Sequence, residues 1–195
     1  MASFKCLNTA LLHQGMLNKN GKVITTAITL IDVHDIARSC KTFGVENFYI
    51  EHPSEALHKL TAKLSYHWRK GYGASYNPDR KEALDIVKIK KSFSEIIGDI
   101  KEKSQGTPLV IGTSARNNFK EKEVISMKEL AKVVEEKSVL LCFGTGWGFS
   151  PELINKMECM LEPIKGAQEY NHLSVRSAAA IILSRLWEES KPRTA

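Results

Sequence analysis

Residues 138–148 read Ser-Val-Leu-Leu-Cys-Phe-Gly-Thr-Gly-Trp-Gly. The run from Val139 to Phe143 is apolar, of strand length, and stops abruptly at Gly144. A strand that feeds a glycine loop lets backbone approach a ligand that a Cβ would exclude. A second short strand, Met160 to Glu162, runs into Pro163-Ile164-Lys165-Gly166. The chain then enters an apolar helix through Asn171, His172, Leu173 and Ser174. Two such loops at adjacent strand ends describe a small-molecule crevice in an α/β sheet.

Outward from this stretch, Pro108 to Gly112 reads as a buried strand whose end, Thr113-Ser114-Ala115-Arg116, supplies a third loop. Phe4 to Leu12 predicts the first strand, Asn20-Gly21 a type I′ turn, and Val23 to Leu30 an extended segment. Asp32 has the chemistry of an N-cap for a helix burying Val33, Ile36, Ala37 and Cys40 and ending at Gly44. Val45 to Ile50 then gives strand, helix, strand, for which a parallel, right-handed crossover is expected. Pro53 at N1 opens a helix to Arg69 with Leu57, Leu60, Leu64 and Trp68 on one face. Residues 71–79 have loop composition, Leu84 to Ile89 alternates like a strand, and Phe93 begins a helix ending near Gln105-Gly106. Met127 to Lys137 is a charged helix. One α/β domain over 1–189 accounts for these elements, and Ser190 to Ala195 reads as a frayed tail.

No apolar run approaches the roughly 18 residues of a membrane helix, and the N-terminus makes a poor signal peptide, so a cytoplasmic protein is expected. Cys6, Cys40, Cys142 and Cys159 have no C-x-x-C spacing and read as free thiols. No His/Cys cluster has metal spacing and no serine sits in a nucleophile elbow, so neither metal nor covalent nucleophile is expected. A conventional dinucleotide fold is disfavoured as well. It puts its glycine loop after the first strand, whereas only 195 − 148 = 47 residues follow Gly148 here.

The net charge of +6 is localised. Residues 1–56 hold five basic and five acidic groups, residues 92–195 fourteen of each, and residues 57–91 nine against three. Tyr66, Trp68, Tyr72 and Tyr76 are interleaved with those nine bases. Cations for phosphates beside aromatic faces for unstacked bases suit RNA loops and single strands; a solvated helix face with its aromatics in the core gives the same pattern.

FGTGWG at 143–148, PIKG at 163–166 and YNHLSVRSAAAIIL at 170–183 together resemble the cofactor half of the SPOUT-class, α/β trefoil-knot RNA methyltransferases. The resemblance runs from about Leu11 to Leu186. It implies a mostly parallel sheet flanked by helices, with the last helix, Ser174 to Glu188, tucked through a loop as a C-terminal knot. It also implies S-adenosyl-L-methionine as donor, RNA (tRNA or rRNA) as acceptor, and a homodimer with its site at the subunit interface. By the same resemblance Thr113, Ser114, Gly144, Thr145, Gly146, Ile164, Gly166, Leu173 and Ser174 hold the donor.

The helix near Asp32 resembles the first motif of the ribose-methylating branch, with Arg38 at the arginine position and Asp32 where an Asn stands. Leu173-Ser174-Val175-Arg176 replaces that branch's L-N-V-S. A ribose 2′-hydroxyl and a base therefore both stay open as acceptors. Methyl transfer needs donor and acceptor held about 3 Å apart in a dry pocket, and a group to take the acceptor's proton. Arg38 leads the catalytic candidates, as a phosphate or acceptor holder rather than a base, followed by Asp35, His172 and Arg176. Asp32 and His34 complete the polar set on the first helix.

Overall fold

The computed structural model of the chain describes residues 4–104, 106–116, 119, 122–168 and 170–191; the side chain of Leu64 falls outside that description, as do Gln105 and residues 192–195. From the N-terminus, β1 (Cys6–Leu12) leads into a hairpin of β2 (Met16–Leu17) and β3 (Val23–Ile24), then α1 (Leu30–Thr42) and β4 (Asn47–Glu51). Three helices follow, α2 (Glu55–Arg69), α3 (Tyr72–Tyr76) and α4 (Pro78–Asp85), before β5 (Val87–Lys90), α5 (Phe93–Ser104) and β6 (Leu109–Gly112). The chain closes with β7 (Glu123–Ile125), α6 (Met127–Glu136), β8 (Ser138–Gly144), α7 (Pro151–Asn155), β9 (Cys159–Leu161) and α8 (Val175–Glu189).

Seven strands form one sheet in the order β5-β4-β1-β8-β6-β9-β7, each pairing parallel. Parallel strands are covered on both faces, so the central ones read as unbroken apolar runs. Alternate residues of β8 serve opposite faces. Val139, Leu141 and Phe143 join the core under α1, α6 and α8, while Leu140 and Cys142 join the core under α5 and α7. Each fully buried side chain of this kind stabilises the fold by about 1.5–3 kcal/mol. Inside the sheet, Asn47 Nδ2 donates to Asn8 Oδ1 at 2.8 Å, so two buried amides satisfy each other across β1 and β4.

Several boundaries differ from expectation, each for a local reason. The N-cap of α1 is Thr29, not Asp32: the Thr29 hydroxyl accepts from the Asp32 N–H, and the helix starts one turn earlier than the first acid suggests. Strand β3 accordingly stops at Ile24, so the parallel partner of β4 is β1 rather than the segment after the Asn-Gly turn. Ser54, not a residue before Pro53, caps α2. Residues 72–76 are helical rather than loop, and Asn77, which accepts from the Arg80 N–H, caps α4 with Pro78 at N1. The helix then consumes Leu84 and Asp85, leaving β5 only from Val87. Strand β7 has no counterpart in the sequence reading; Val124 is exposed at this sheet edge, and three residues carry too short a pattern. Ser190, assigned above to a frayed tail, is buried and donates its hydroxyl to Leu186 O at 2.8 Å as the C-cap of α8.

Candidate cofactor and active site

The pocket lies where β6, β8 and β9 hand over to the chain that follows them. Its glycine-bearing loops do not come from neighbouring strands: β6 sits between β8 and β9 and contributes the third loop, Thr113 to Arg116. The three loops enclose a cavity of about 770 Å³, within the usual range for a small-molecule site. Phe143, Ile164, Leu173 and Ile182 give it apolar surface; Thr113, Ser114, Arg116 and Asn171 give it hydrogen-bonding groups.

Each loop is tied down. Thr113 donates both its N–H (3.0 Å) and its hydroxyl (2.9 Å) to Cys142 O, fixing the first loop on β8. Asn171 Nδ2 donates to Ala115 O at 3.2 Å, joining the third loop to the first. The glycine loop is clasped by the β2–β3 hairpin: Trp147 N donates to Leu17 O at 2.9 Å and Leu17 N to Gly148 O at 2.8 Å. Gly146 stands at φ +58°, and a Cβ there would lie 2.9 Å from Leu17 O. A Cβ on Gly144 would meet the Phe149 ring at 2.8 Å. These two glycines thus admit the protein's own hairpin and ring, and the expectation that the loop's amides mainly serve a ligand is revised.

The hairpin also adds pocket walls that no motif announced: Thr26, Ala27 and Thr29 line the cavity. Beside them runs a partly buried polar chain. Thr145 and Thr26 share a hydroxyl–hydroxyl hydrogen bond, and Thr26 Oγ1 meets His13 Nδ1 at 2.9 Å. Burial, together with the neighbouring His52 and against the pull of Asp32, pushes His13 down to about 4, so the ring is neutral at pH 7. Glu51 Oε2 accepts from the N–H groups of His13 (3.1 Å) and Gln14 (2.9 Å); burial still raises its carboxyl above the usual range.

The first helix and the last meet at the pocket rim. Arg176 Nη1, in the first turn of α8, donates to Asp32 Oδ1 at 3.0 Å, and its Nε lies 3.7 Å from Asp35 Oδ2. Asp32 is buried and also accepts from the Thr29 hydroxyl; Asp35 is half exposed. Asp32 and Arg176, two of the three positions that depart from the ribose-methylating pattern (Ser174 is the third), therefore touch each other.

The cavity brings together Thr113, Ser114, Gly144, Thr145, Gly146, Ile164, His172, Leu173, Ser174 and Arg176 of the sequence candidates. It does not include Gly166, Asp35 or Arg38. Gly166 is exposed on the third loop, Asp35 stands behind Arg176, and Arg38 points to solvent one turn further along α1. Arg116 and Asn171 line the site although neither was a candidate; each occupied a loop already singled out.

A parallel sheet with a loop-built pocket at its carboxyl edge defines an open α/β protein with its small-ligand site where such sheets place it. Comparison with known proteins narrows this. The model of a family of SAM-dependent RNA methyltransferases matches residues 6–188, so the chain belongs to that family, whose methyl donor is S-adenosylmethionine. A tRNA (guanine-N(1)-)-methyltransferase of Oleidesulfovibrio alaskensis is 40% identical over 180 residues, covering 92% of this chain and 41% of that protein. An uncharacterized protein of Aquifex aeolicus is 37% identical over 184 residues, 93% of this chain and 88% of its own. The chain thus spans well under half of the named methyltransferase it matches. Among solved structures, TrmJ of Z. mobilis aligns with TM-score 0.61 at 14% identity, over 94% of this chain and 68% of that one. The SpoU methyltransferase AviRb of Streptomyces viridochromogenes, in complex with AdoMet, aligns with TM-score 0.59 at 12% identity, over 96% and 59%. The fold is that of the SpoU/TrmH class, the α/β-knot architecture that the resemblance implied.

Proposed function

We propose that this pocket binds S-adenosylmethionine and that the chain methylates an RNA nucleotide at its rim, as a cytoplasmic homodimer. The observation that carries the reading is the coincidence of three tied loops around one cavity whose lining combines apolar side chains with hydroxyl, amide and guanidinium groups. That combination suits a molecule with an apolar purine at one end and an amino acid at the other. Ile164, Leu173 and Ile182 would exclude water from the purine. Arg116 would take the carboxylate, because Arg176 is already engaged by two acids while Arg116 has no carboxylate within 4 Å among the described residues.

When bound, the donor supplies a methyl group activated on a sulfonium sulfur. The acceptor atom gives up a proton as it is methylated. Asp35 is the proton acceptor in this reading: it lies beside Arg176 just outside the cavity, in a longer contact of 3.7 Å and open to solvent, while Asp32 is buried and accepts from both Arg176 and Thr29. Arg176, aimed by both acids, orients the acceptor; His172, exposed and edge-on to Tyr170, adds a second polar contact. Arg38 is left to phosphate. The homodimer is supported by large apolar side chains exposed on the segments that line the cavity, with Ile31, Trp147 and Leu173 each about half exposed. The named relatives' description as tRNA (guanine-N(1)-)-methyltransferases favours tRNA as the RNA class and a base as acceptor; the ribose alternative stays open because most of the named protein lies outside the match.

Calorimetry with S-adenosylmethionine and label transfer to bulk unmodified RNA test the two halves separately. Binding and incorporation are expected; no heat at millimolar donor, or RNA retention without incorporation, overturns the enzyme reading. Asp35→Asn should cut incorporation at least 100-fold with donor affinity unchanged, in line with loss of a general base.

A further inference from the structure

We infer that the outer face of α2, continued by α3, is a track for single-stranded RNA that leads to the rim of the pocket. The inference rests on the RNA reading above and gives it a surface and a strandedness.

The charge excess of residues 57–91 is less free than its count implies. Arg69 and Lys81 are matched by Asp85, Lys88 and Lys90 by Asp99, and Lys91 by Glu55. Lys59, Lys63 and Lys70 have no carboxylate within 4 Å among the described residues, and all three are exposed. With Tyr66 they fall at intervals of four, three and four residues, which is one face of a helix. At 1.5 Å per residue the lysines span about 16 Å. Tyr66 is 63% exposed among them, and Tyr72 and Tyr76 on α3 are 76% and 73% exposed. The last two rings stack on each other, with centroids 6.1 Å apart and planes 25° apart, leaving their outer faces open.

This combination fits a polyanion whose bases are unstacked. Lysines at helical spacing neutralise phosphates without reading sequence, and phenol rings take bases that a duplex would hide. The track also points somewhere. The inner face of α2 ends in Trp68, which carries the Arg80 guanidinium at 4.4 Å and meets the His34 ring edge-on at 5.8 Å. His34 precedes Asp35, which faces Arg176 at the pocket. The inner face of α2 thus docks next to the residue that precedes Asp35, and the basic face lies on the opposite side of the same helix.

The test uses fluorescence anisotropy with a fluorescein-labelled 12-nucleotide oligouridylate and a 12-base-pair RNA duplex, between 50 and 200 mM KCl. The triple variant Lys59→Gln, Lys63→Gln, Lys70→Gln should flatten the log–log salt slope for the oligouridylate by about 2, from about 0.7 per phosphate contact. Tyr72→Ala with Tyr76→Ala should weaken the oligouridylate about tenfold and leave the duplex unchanged. Unchanged slope and affinity in both variants overturn the track, as does an equal loss on duplex in the tyrosine variant. Dissociation of a wild-type dimer in sedimentation, with oligouridylate affinity unaltered, overturns it in favour of a protein interface. Donor calorimetry on the same samples separates the two readings. Oligouridylate bound through the lysines without donor binding removes the methyl-transfer reading and keeps the track; donor binding with no oligouridylate binding removes the track alone.

Discussion

The strands that carry the pocket and the helical excursion between β4 and β5 use their apolar residues in opposite ways. In β8 every residue from Val139 to Phe143 is essentially inaccessible. In α2 the inner positions are Thr61 and Ser65, both buried, while Leu60 and Tyr66 face outward. The helix docks through polar and aromatic contacts instead: His58 Nε2 meets His52 O, and Trp68 is covered by Arg80. One region is held by close packing of apolar groups, which specifies geometry tightly; the other, among its described side chains, is held by a few polar contacts and Trp68 and leaves Tyr66 exposed.

The sharpest way to break this contrast is Leu141→Ala. It removes a fully buried side chain from the core under α1 and α8 and should cost about 2–5 kcal/mol in urea unfolding. A loss under 1 kcal/mol would mean that the pocket strands are not close-packed. Next comes acidification. His13 is neutral in the fold with its pKa near 4, against about 6.5 when unfolded, so below pH 6.5 the unfolded chain takes up a proton that the fold refuses. Stability should fall as pH drops from 6.5 to 4, by up to about 3 kcal/mol at 1.36 kcal/mol per unit. His13→Gln should flatten that part of the pH–stability curve, and an unchanged curve would refute the assignment. Gly146→Ala puts a Cβ in the left-handed region against Leu17 O, and about 1–2 kcal/mol of strain is expected from the backbone alone. Its readout is a fall in donor affinity beyond the stability loss, because the loop it distorts lines the cavity. Leu60→Ser marks the other end: on the exposed face of α2 it should change stability by no more than about 0.5 kcal/mol.

The same contrast explains what could be read before any coordinates. Val139 to Phe143 and Leu109 to Gly112 were legible because a strand buried on both faces leaves one reading for an apolar run. The three loops were legible because Gly144 to Gly148 and Pro163 to Gly166 cannot continue a strand or a helix. Helix α2 was legible as a helix but not in its orientation: Leu57, Leu60, Leu64 and Trp68 recur at helical spacing, yet Leu60 is half exposed and Thr61 is buried. Periodicity reports an amphipathic stripe without saying which surface will cover it. Thr26, Thr29 and Arg116 reach the pocket only through contacts far apart in sequence, such as the Thr26–Thr145 bond, and no local pattern encodes those. Asp32 shows the same limit in reverse. The sequence reading makes it the N-cap, but the structure uses Thr29 for the cap and turns Asp32, inside the first turn, toward a residue 144 positions away.

That Asp32–Arg176 bond has a bearing on biogenesis. A ribosome releases α1 well before the arginine, 144 residues further on, that steadies its acid, so the rim of the pocket forms only after α8 has docked. A protein arrested or clipped before residue 175 would keep every strand of its sheet and still lack the cavity wall that Arg176, Ala178 and Ile182 supply.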